Sequence, residues 1–85
     1  MPKINIQPEF FVVWESHYKY IYFTDRHGLP LTLSNNIVKF PAEFLRTEKD
    51  FIDFTTIIAA VNDWEFRTMI PLSENIFRLK IISKQ

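Results

Sequence analysis

The sequence predicts an α+β domain, with a twisted, mostly antiparallel sheet of about five strands and one helix, about residues 48–62, on one face. The two ends of the chain are rich in short aromatic and β-branched runs, and these residue types favour strands. Between them, a helix-start signature precedes apolar residues at helical spacing. A chain of 85 residues has room for one small core, so we expect a single domain over residues 1–85.

The amino-acid composition argues against several classes of function. Apolar residues make up 47% of the chain and charged residues 24%, which is typical of a globular domain. Ten basic residues balance ten acidic ones, which argues against a polybasic nucleic-acid or membrane-surface binder. The absence of cysteine excludes disulfides, thiolate catalysis and cysteine-ligated metals. No segment has the pattern of a signal peptide or a membrane span, so we expect a cytoplasmic protein.

The first half of the sequence predicts a three-stranded meander. Its strands are the runs at residues 10–14, 18–23 and 29–33. Residues 15–17 suit the first loop, and the only glycine, Gly28, falls in the second turn, where a positive φ is most useful. Pro30 places the third strand at a sheet edge, and residues 4–6 suggest a further short strand.

The predicted helix begins after Thr47, a good N-cap residue, and acidic residues fill its first turn. Five apolar residues follow at helical spacing: Phe51, Phe54, Ile57, Ile58 and Val61. The β-branched run at residues 55–58 weakens helix propensity. A strand over residues 55–61 therefore stays open, and with it an all-β meander or small barrel. Residues 40–43 predict a separate helical turn with proline near its start.

The last third of the sequence predicts an amphipathic hairpin that turns at residues 71–75. Apolar and polar residues alternate in both strands, with Trp64, Phe66, Thr68 and Ile70 on one face of the first and Phe77, Leu79 and Ile81 on one face of the second. The apolar face belongs to the core and the charged face to solvent.

The strands at residues 10–14 and 18–23 have apolar residues on both faces. A three-residue loop places Trp14 opposite Tyr18 and groups six residues on one face: Phe10, Val12, Trp14, Tyr18, Tyr20 and Tyr22. The other face then supplies core residues: Phe11, Val13, Ile21 and Phe23. A slip of one residue exchanges partners between the faces but leaves both apolar. Because one helix covers only one face, the aromatic face is either exposed for a partner or covered by a curled sheet.

Acidic residues are concentrated in the middle of the chain, where residues 41–75 hold seven acids and three bases. Four of them form the predicted acidic rim of the partner surface: Glu43, Glu48, Asp50 and Asp53. Such a rim would give specificity for a basic groove. An ordinary solvated helix face explains the same pattern.

Side chains for catalysis or metal binding are scarce. The two histidines, His17 and His27, lie in predicted turns, and Ser16 beside His17 lacks a third group that would orient a base. Asp25 and His27 supply two metal ligands, fewer than a zinc site requires. We therefore expect no catalytic residues, no metal and no cofactor.

These features predict a non-catalytic protein-interaction module that occludes a surface of a partner macromolecule. Small inhibitors encoded by phages or mobile elements (anti-defence proteins of the anti-CRISPR type), immunity proteins and antitoxins act in this way. The partner is another protein or, through the aromatic face, a second copy in a homodimer. The alternative is a sheet protein that stacks single-stranded nucleic acid on its Tyr/Trp face. Only Lys19, Arg26 and Lys39 are basic near that face, which disfavours nucleic acid, and no membrane partner is expected.

Overall fold

The computed structural model describes residues 9–83, without the side chains of residues 66–68, 71 and 83. In chain order the elements in this range are β1 (Glu9–Glu15), β2 (Tyr20–Thr24), β3 (Thr32–Leu33), β4 (Asn36–Ile37), β5 (Lys39–Pro41), α1 (Glu48–Val61), β6 (Trp64–Ser73) and β7 (Ile76–Ser83). The strand predicted near residues 4–6 lies outside the described residues.

Five strands form one antiparallel sheet in the order β5-β2-β1-β7-β6. β1 therefore lies at the centre of this sheet, between β2 and β7. β3 and β4 form a separate two-stranded hairpin. One helix beside an antiparallel sheet that does not close into a barrel confirms the α+β prediction.

α1 confirms the predicted helix and begins where the capping residues place it. The Thr47 hydroxyl accepts a hydrogen bond from the Asp50 amide, and the Asp50 carboxylate accepts one from the Thr47 amide. This capping box satisfies two backbone donors that the first turn would leave free. Together with the burial of Phe51 against the sheet, it outweighs the low helix propensity of the β-branched run.

The helix is rotated about its axis relative to the predicted apolar stripe. Its buried residues are Phe51, Thr55 and Ala59, each four positions after the last. Ile57 and Val61, which the stripe assigns to the core, are exposed. The small side chains at 55 and 59 let the helix lie close to β6 and β7. The larger side chains are left on its flank.

The core lies between α1 and one face of the sheet. Its buried residues are Phe10, Val12, Trp14, Ile21, Ala42, Leu45, Phe51, Phe77, Leu79 and Ile81. Trp14 is only 2% exposed, and its ring lies 5.3 Å from that of Phe77 and 5.4 Å from that of Phe51. Burial of Phe77, Leu79 and Ile81 confirms the alternation predicted for the last strand.

The register between β1 and β2 differs from the predicted one. Val12 lies opposite Phe23, and Trp14 lies opposite Ile21. The loop between the strands has four residues, 16–19, and Lys19 closes it with a φ of 60°. Relative to the predicted three-residue loop, this loop shifts β2 by an odd number of positions. The β2 residues predicted for one face of the sheet therefore lie on the other face. The prediction that Trp14 shares a face with the tyrosines is therefore wrong.

Two neighbouring segments also differ from expectation. Residues 40–43 are predicted as a helical turn. Instead, residues 40 and 41 form the end of β5, where Phe40 pairs with Ile21 at the sheet edge. The third strand of the meander is reduced to a bridge between Thr24 and Pro30, followed by the short β3. Pro30 takes part only in this isolated bridge, and β5 is the edge strand beside β2.

β6 and β7 confirm the predicted C-terminal hairpin. A bulge shifts the register of β6 between Phe66 and Met69. Ile70 therefore lies opposite Arg78, on the face away from the helix, instead of sharing the face of Trp64 as strict alternation predicts.

Candidate partner-binding surface

The sheet has one face without the helix, which we call the open face. The strand register assigns six central residues to it: Phe11, Val13, Glu15, Tyr20, Tyr22 and Arg78. Within residues 9–83, α1 packs on the opposite side, and no other helix is present to cover the open face.

Three tyrosines form a continuous row on the open face, and we call Tyr18, Tyr20 and Tyr22 the tyrosine row. The ring centroids of Tyr18 and Tyr20 are 6.1 Å apart with an interplanar angle of 23°, and those of Tyr20 and Tyr22 are 6.0 Å apart. Tyr18 is 68% exposed, while the other two are half-buried. The three rings therefore lie next to each other along the strand.

Two charged side chains contact Tyr20, the middle residue of the row. The Tyr20 hydroxyl donates a hydrogen bond to Glu15 Oε2 at 3.0 Å, and Lys39 Nζ lies 4.6 Å from the centroid of the Tyr20 ring. Burial, followed by this hydrogen bond to Glu15, raises the pKa of Tyr20 to about 12. Burial and the nearby Glu15 carboxylate also raise the pKa of Tyr22. Both phenols are therefore neutral hydrogen-bonding groups at physiological pH.

A shallow depression of about 210 Å³ lies at the Tyr18 end of the row. The β1–β2 loop and the β6–β7 turn form it together, since the Ser16 amide donates a hydrogen bond to the Asn75 carbonyl at 2.9 Å. Its lining residues are Glu15, His17, Tyr18, Ser73, Asn75 and Ile76. The depression gives a concave, partly polar margin to an otherwise flat aromatic surface.

The centre of the open face is covered by an arginine. Phe11 and Val13 are buried, although no helix lies over them. The Arg78 guanidinium lies 4.4 Å from the Phe11 ring centroid, and one of its Nη atoms lies beside Gly28 in the turn after β2. This long side chain shields the apolar centre, and its own Nε atom is buried. Among the described residues of the open face, the solvent-accessible aromatic surface is then that of the tyrosine row.

The structure divides the six residues of the predicted aromatic face. Its β1 members, Phe10, Val12 and Trp14, lie in the core beneath α1 and cannot contact a partner in this fold. Its three tyrosines come together as the tyrosine row. The division follows from the four-residue loop, which the three-residue prediction did not anticipate. Contact of the tyrosine row with a partner stays a prediction.

Three of the four predicted rim acids lie away from the tyrosine row. Glu48, Asp50 and Asp53 belong to α1 on the other side of the sheet. Asp50 serves the capping box, and Asp53 accepts a hydrogen bond from Lys49 at 2.9 Å. Glu43 follows Pro41, the residue opposite Tyr20, by two positions, and contact of any of these acids with a partner stays a prediction.

The remaining polar side chains serve local structure. Asp25 Oδ1 accepts hydrogen bonds from the amides of His27 and Leu29, and the Leu29 bond is the main cause of the lowered pKa of Asp25. His17 makes an edge-to-face contact with Tyr18 at 5.3 Å. In the part of the chain that the structure describes, no group of three or more His, Cys, Asp or Glu side chains could hold a metal ion.

Glu15 was not predicted as part of this surface, and Lys39 was predicted only as a basic residue near it. Glu15 lies opposite Tyr20, and Lys39 lies opposite Tyr22. A polar residue at each end of the β1–β2 strands, combined with a four-residue loop, could have indicated that the tyrosines face solvent. β5 offered no comparable signal, because its proline suggested a helical turn.

No family model, curated protein or solved structure matches this chain. The described residues contain no helix that is long and apolar enough to cross a membrane. Arguments about function therefore depend on the surface itself.

Proposed function

We propose that this protein is a non-catalytic interaction module that binds another protein through the tyrosine row. The observation that carries the proposal is three adjacent tyrosines on the face that α1 leaves uncovered. Tyrosine combines a large apolar surface with a polar tip and is enriched at protein interfaces. Glu15 and Lys39 already fix the middle ring, so binding costs little additional side-chain entropy.

The arrangement of the rings favours a protein partner over a single-stranded nucleic acid. Base stacking requires a free ring face. The Tyr20 ring has the Lys39 ammonium against it and a tyrosine on each side along the strand. The depression beside Tyr18 suits a side chain of a protein surface better than the plane of a base.

Binding of this kind would act by occupancy. The surface of the partner that the tyrosine row covers would no longer be accessible to other molecules, as happens with inhibitors encoded by phages or mobile elements, immunity proteins and antitoxins. We place this action in the cytoplasm. No chemical step on a substrate is part of the proposal.

Tyr18→Asp tests the proposal most cleanly, because Tyr18 is exposed and its substitution should leave the fold intact. A partner captured from lysate is purified and titrated calorimetrically against the wild type, Tyr18→Asp and the control Thr56→Asp on the exposed helix surface. We expect about tenfold or greater loss of affinity for Tyr18→Asp and none for the control.

Equal affinity of all three proteins for the purified partner would refute the tyrosine row as the contact. Retention of an oligothymidylate probe that weakens with added salt and is lost in Tyr18→Asp would assign the row to nucleic acid instead.

A further inference from the structure

The depression at the Tyr18 end of the tyrosine row has walls that are hydrogen-bonded to each other. The amides of Tyr18 and Lys19 both donate to the Glu15 carbonyl, at 3.2 and 2.9 Å, and close the β1–β2 loop. The Ser16 hydroxyl donates to the Asn75 carbonyl at 3.2 Å, beside the bond from its own amide. A ligand would therefore enter a site that is largely formed in advance.

Hydrogen-bond acceptors line the depression around one carboxylate. Glu15 Oε2 accepts a hydrogen bond from the Tyr20 hydroxyl, but an ionised carboxylate offers about four acceptor positions on its two oxygens. The side chains of Asn75 and Ser73 add an amide oxygen and a hydroxyl to the same lining. The depression thus suits a ligand with several donors.

Glu15 gives the depression a negative charge. It is the only charged residue in the lining, and Glu74 adds a second acid in the neighbouring turn. Lys19 and Lys39 do not line the depression, and Lys39 lies over the Tyr20 ring, on the side of β5. In the described part of the chain, no basic side chain forms an ion pair with Glu15. A half-buried carboxylate without a cation favours a positively charged ligand.

An exposed aromatic residue lies beside this carboxylate. Tyr18 is 68% exposed and also lines the depression. A guanidinium group is planar, stacks on aromatic rings and binds carboxylates through a fork of donors, whereas an ammonium group is a compact, strongly hydrated point charge. A carboxylate and an exposed ring in one depression therefore favour arginine over lysine.

The size of the depression is that of a site for one side chain. Its volume is about 210 Å³, whereas pockets for drug-sized ligands usually measure about 300–1,000 Å³. The ligand is thus better sought on the surface of a partner protein than among free cofactors.

From these contacts we infer that the depression binds an arginine side chain of the partner, with the guanidinium paired to the Glu15 carboxylate and stacked beside Tyr18. Glu15 then binds the Tyr20 hydroxyl and the guanidinium at the same time. This assignment rests on the proposed function, because it names the group that the partner presents next to the tyrosine row.

Nuclear magnetic resonance titration of the full chain with N-acetyl-arginine amide tests the inference without a purified partner. We expect the backbone amide signals of Tyr18 and Asn75 to shift, with a dissociation constant in the millimolar range. N-acetyl-citrulline amide has nearly the same shape but no charge and should bind about fivefold more weakly or less.

A matched pair of variants tests the role of the carboxylate. Glu15→Gln should weaken binding of N-acetyl-arginine amide about fivefold or more. Glu9→Gln, at the other end of β1, should leave it unchanged. Thermal unfolding shows that both variants are folded, which is expected because glutamine at position 15 still accepts the Tyr20 hydrogen bond.

Three results would overturn the inference: no shifts around the depression, equal binding of the arginine and citrulline probes, or unchanged arginine binding in Glu15→Gln. Tighter binding of N-acetyl-lysine amide would also overturn it, because the guanidinium would then not be the preferred group. Each of these results leaves the calorimetric test of Tyr18→Asp unaffected. Equal affinity of Tyr18→Asp for the purified partner would instead refute the tyrosine row, so the two failures are distinguishable.

Discussion

The two faces of β1 carry the same kinds of residue but meet different surroundings. Phe10, Val12 and Trp14 point towards α1 and lie in the core. Phe11 and Val13 point to the open face, where Arg78 covers Phe11. Both sets are buried, yet one is covered by a helix and the other lies beneath a charged side chain. Apolar character alone therefore does not tell a residue of the helix-covered core from one on the open face.

The largest expected loss of stability follows from a substitution on the helix-bearing face of the sheet. Phe51 is fully buried and contacts Trp14, so Phe51→Ala should cost about 3–5 kcal/mol of unfolding free energy. Phe44→Ala, at an exposed position in the connection before the helix, should cost less than about 1 kcal/mol. Urea denaturation measures both. Similar costs for the two variants would contradict the placement of the helix.

A smaller effect is expected on the open face. Arg78→Ala removes the side chain that shields Phe11, and we expect a loss of about 1–2 kcal/mol. Lys80→Ala, whose ammonium makes only a 3.8 Å ion pair with Glu9, should cost about 0.5 kcal/mol or less. If both variants had the same stability in urea, Arg78 would not be the cover of this face.

The smallest effect concerns pH and the tyrosine row. The pKa of Tyr20 is about 12 in the fold against 10.0 for a free phenol, and that of Tyr22 is also raised. A raised folded pKa contributes stability that is complete below pH 10 and is lost as pH rises towards 12. Phenolate absorbance should show Tyr20 and Tyr22 ionising at higher pH than a free phenol. Glu15→Gln should bring the pKa values of these two tyrosines closer to 10.0, and an unchanged titration would contradict the role of Glu15.

Much of the fold could be predicted because local signals agreed with each other. The capping residues Thr47 and Asp50 fixed the start of α1, and alternation in β7 identified its core face. The buried face of α1 could not be predicted from its large apolar residues, because the helix buries the small side chains of Thr55 and Ala59 against the sheet.

The candidate site was predicted only in part, and loop length is the reason. Both faces of β1 and β2 are apolar, so no hydrophobic pattern could select one register over the other. A lysine in the left-handed region at the end of the loop, Lys19, decides the register, and lysine carries no strong signal for that conformation. The tyrosines were identified, but their grouping with Trp14 was wrong.

The central claim is that the register separates the aromatic residues of β1 and β2 into a core set and a surface set. Nuclear Overhauser contacts from the Trp14 indole test it directly. The structure predicts contacts with the rings of Phe51 and Phe77 and with Ile21. Contacts between Trp14 and Tyr18 in the absence of contacts with Phe51 would contradict the register, and with it the tyrosine row as a separate surface.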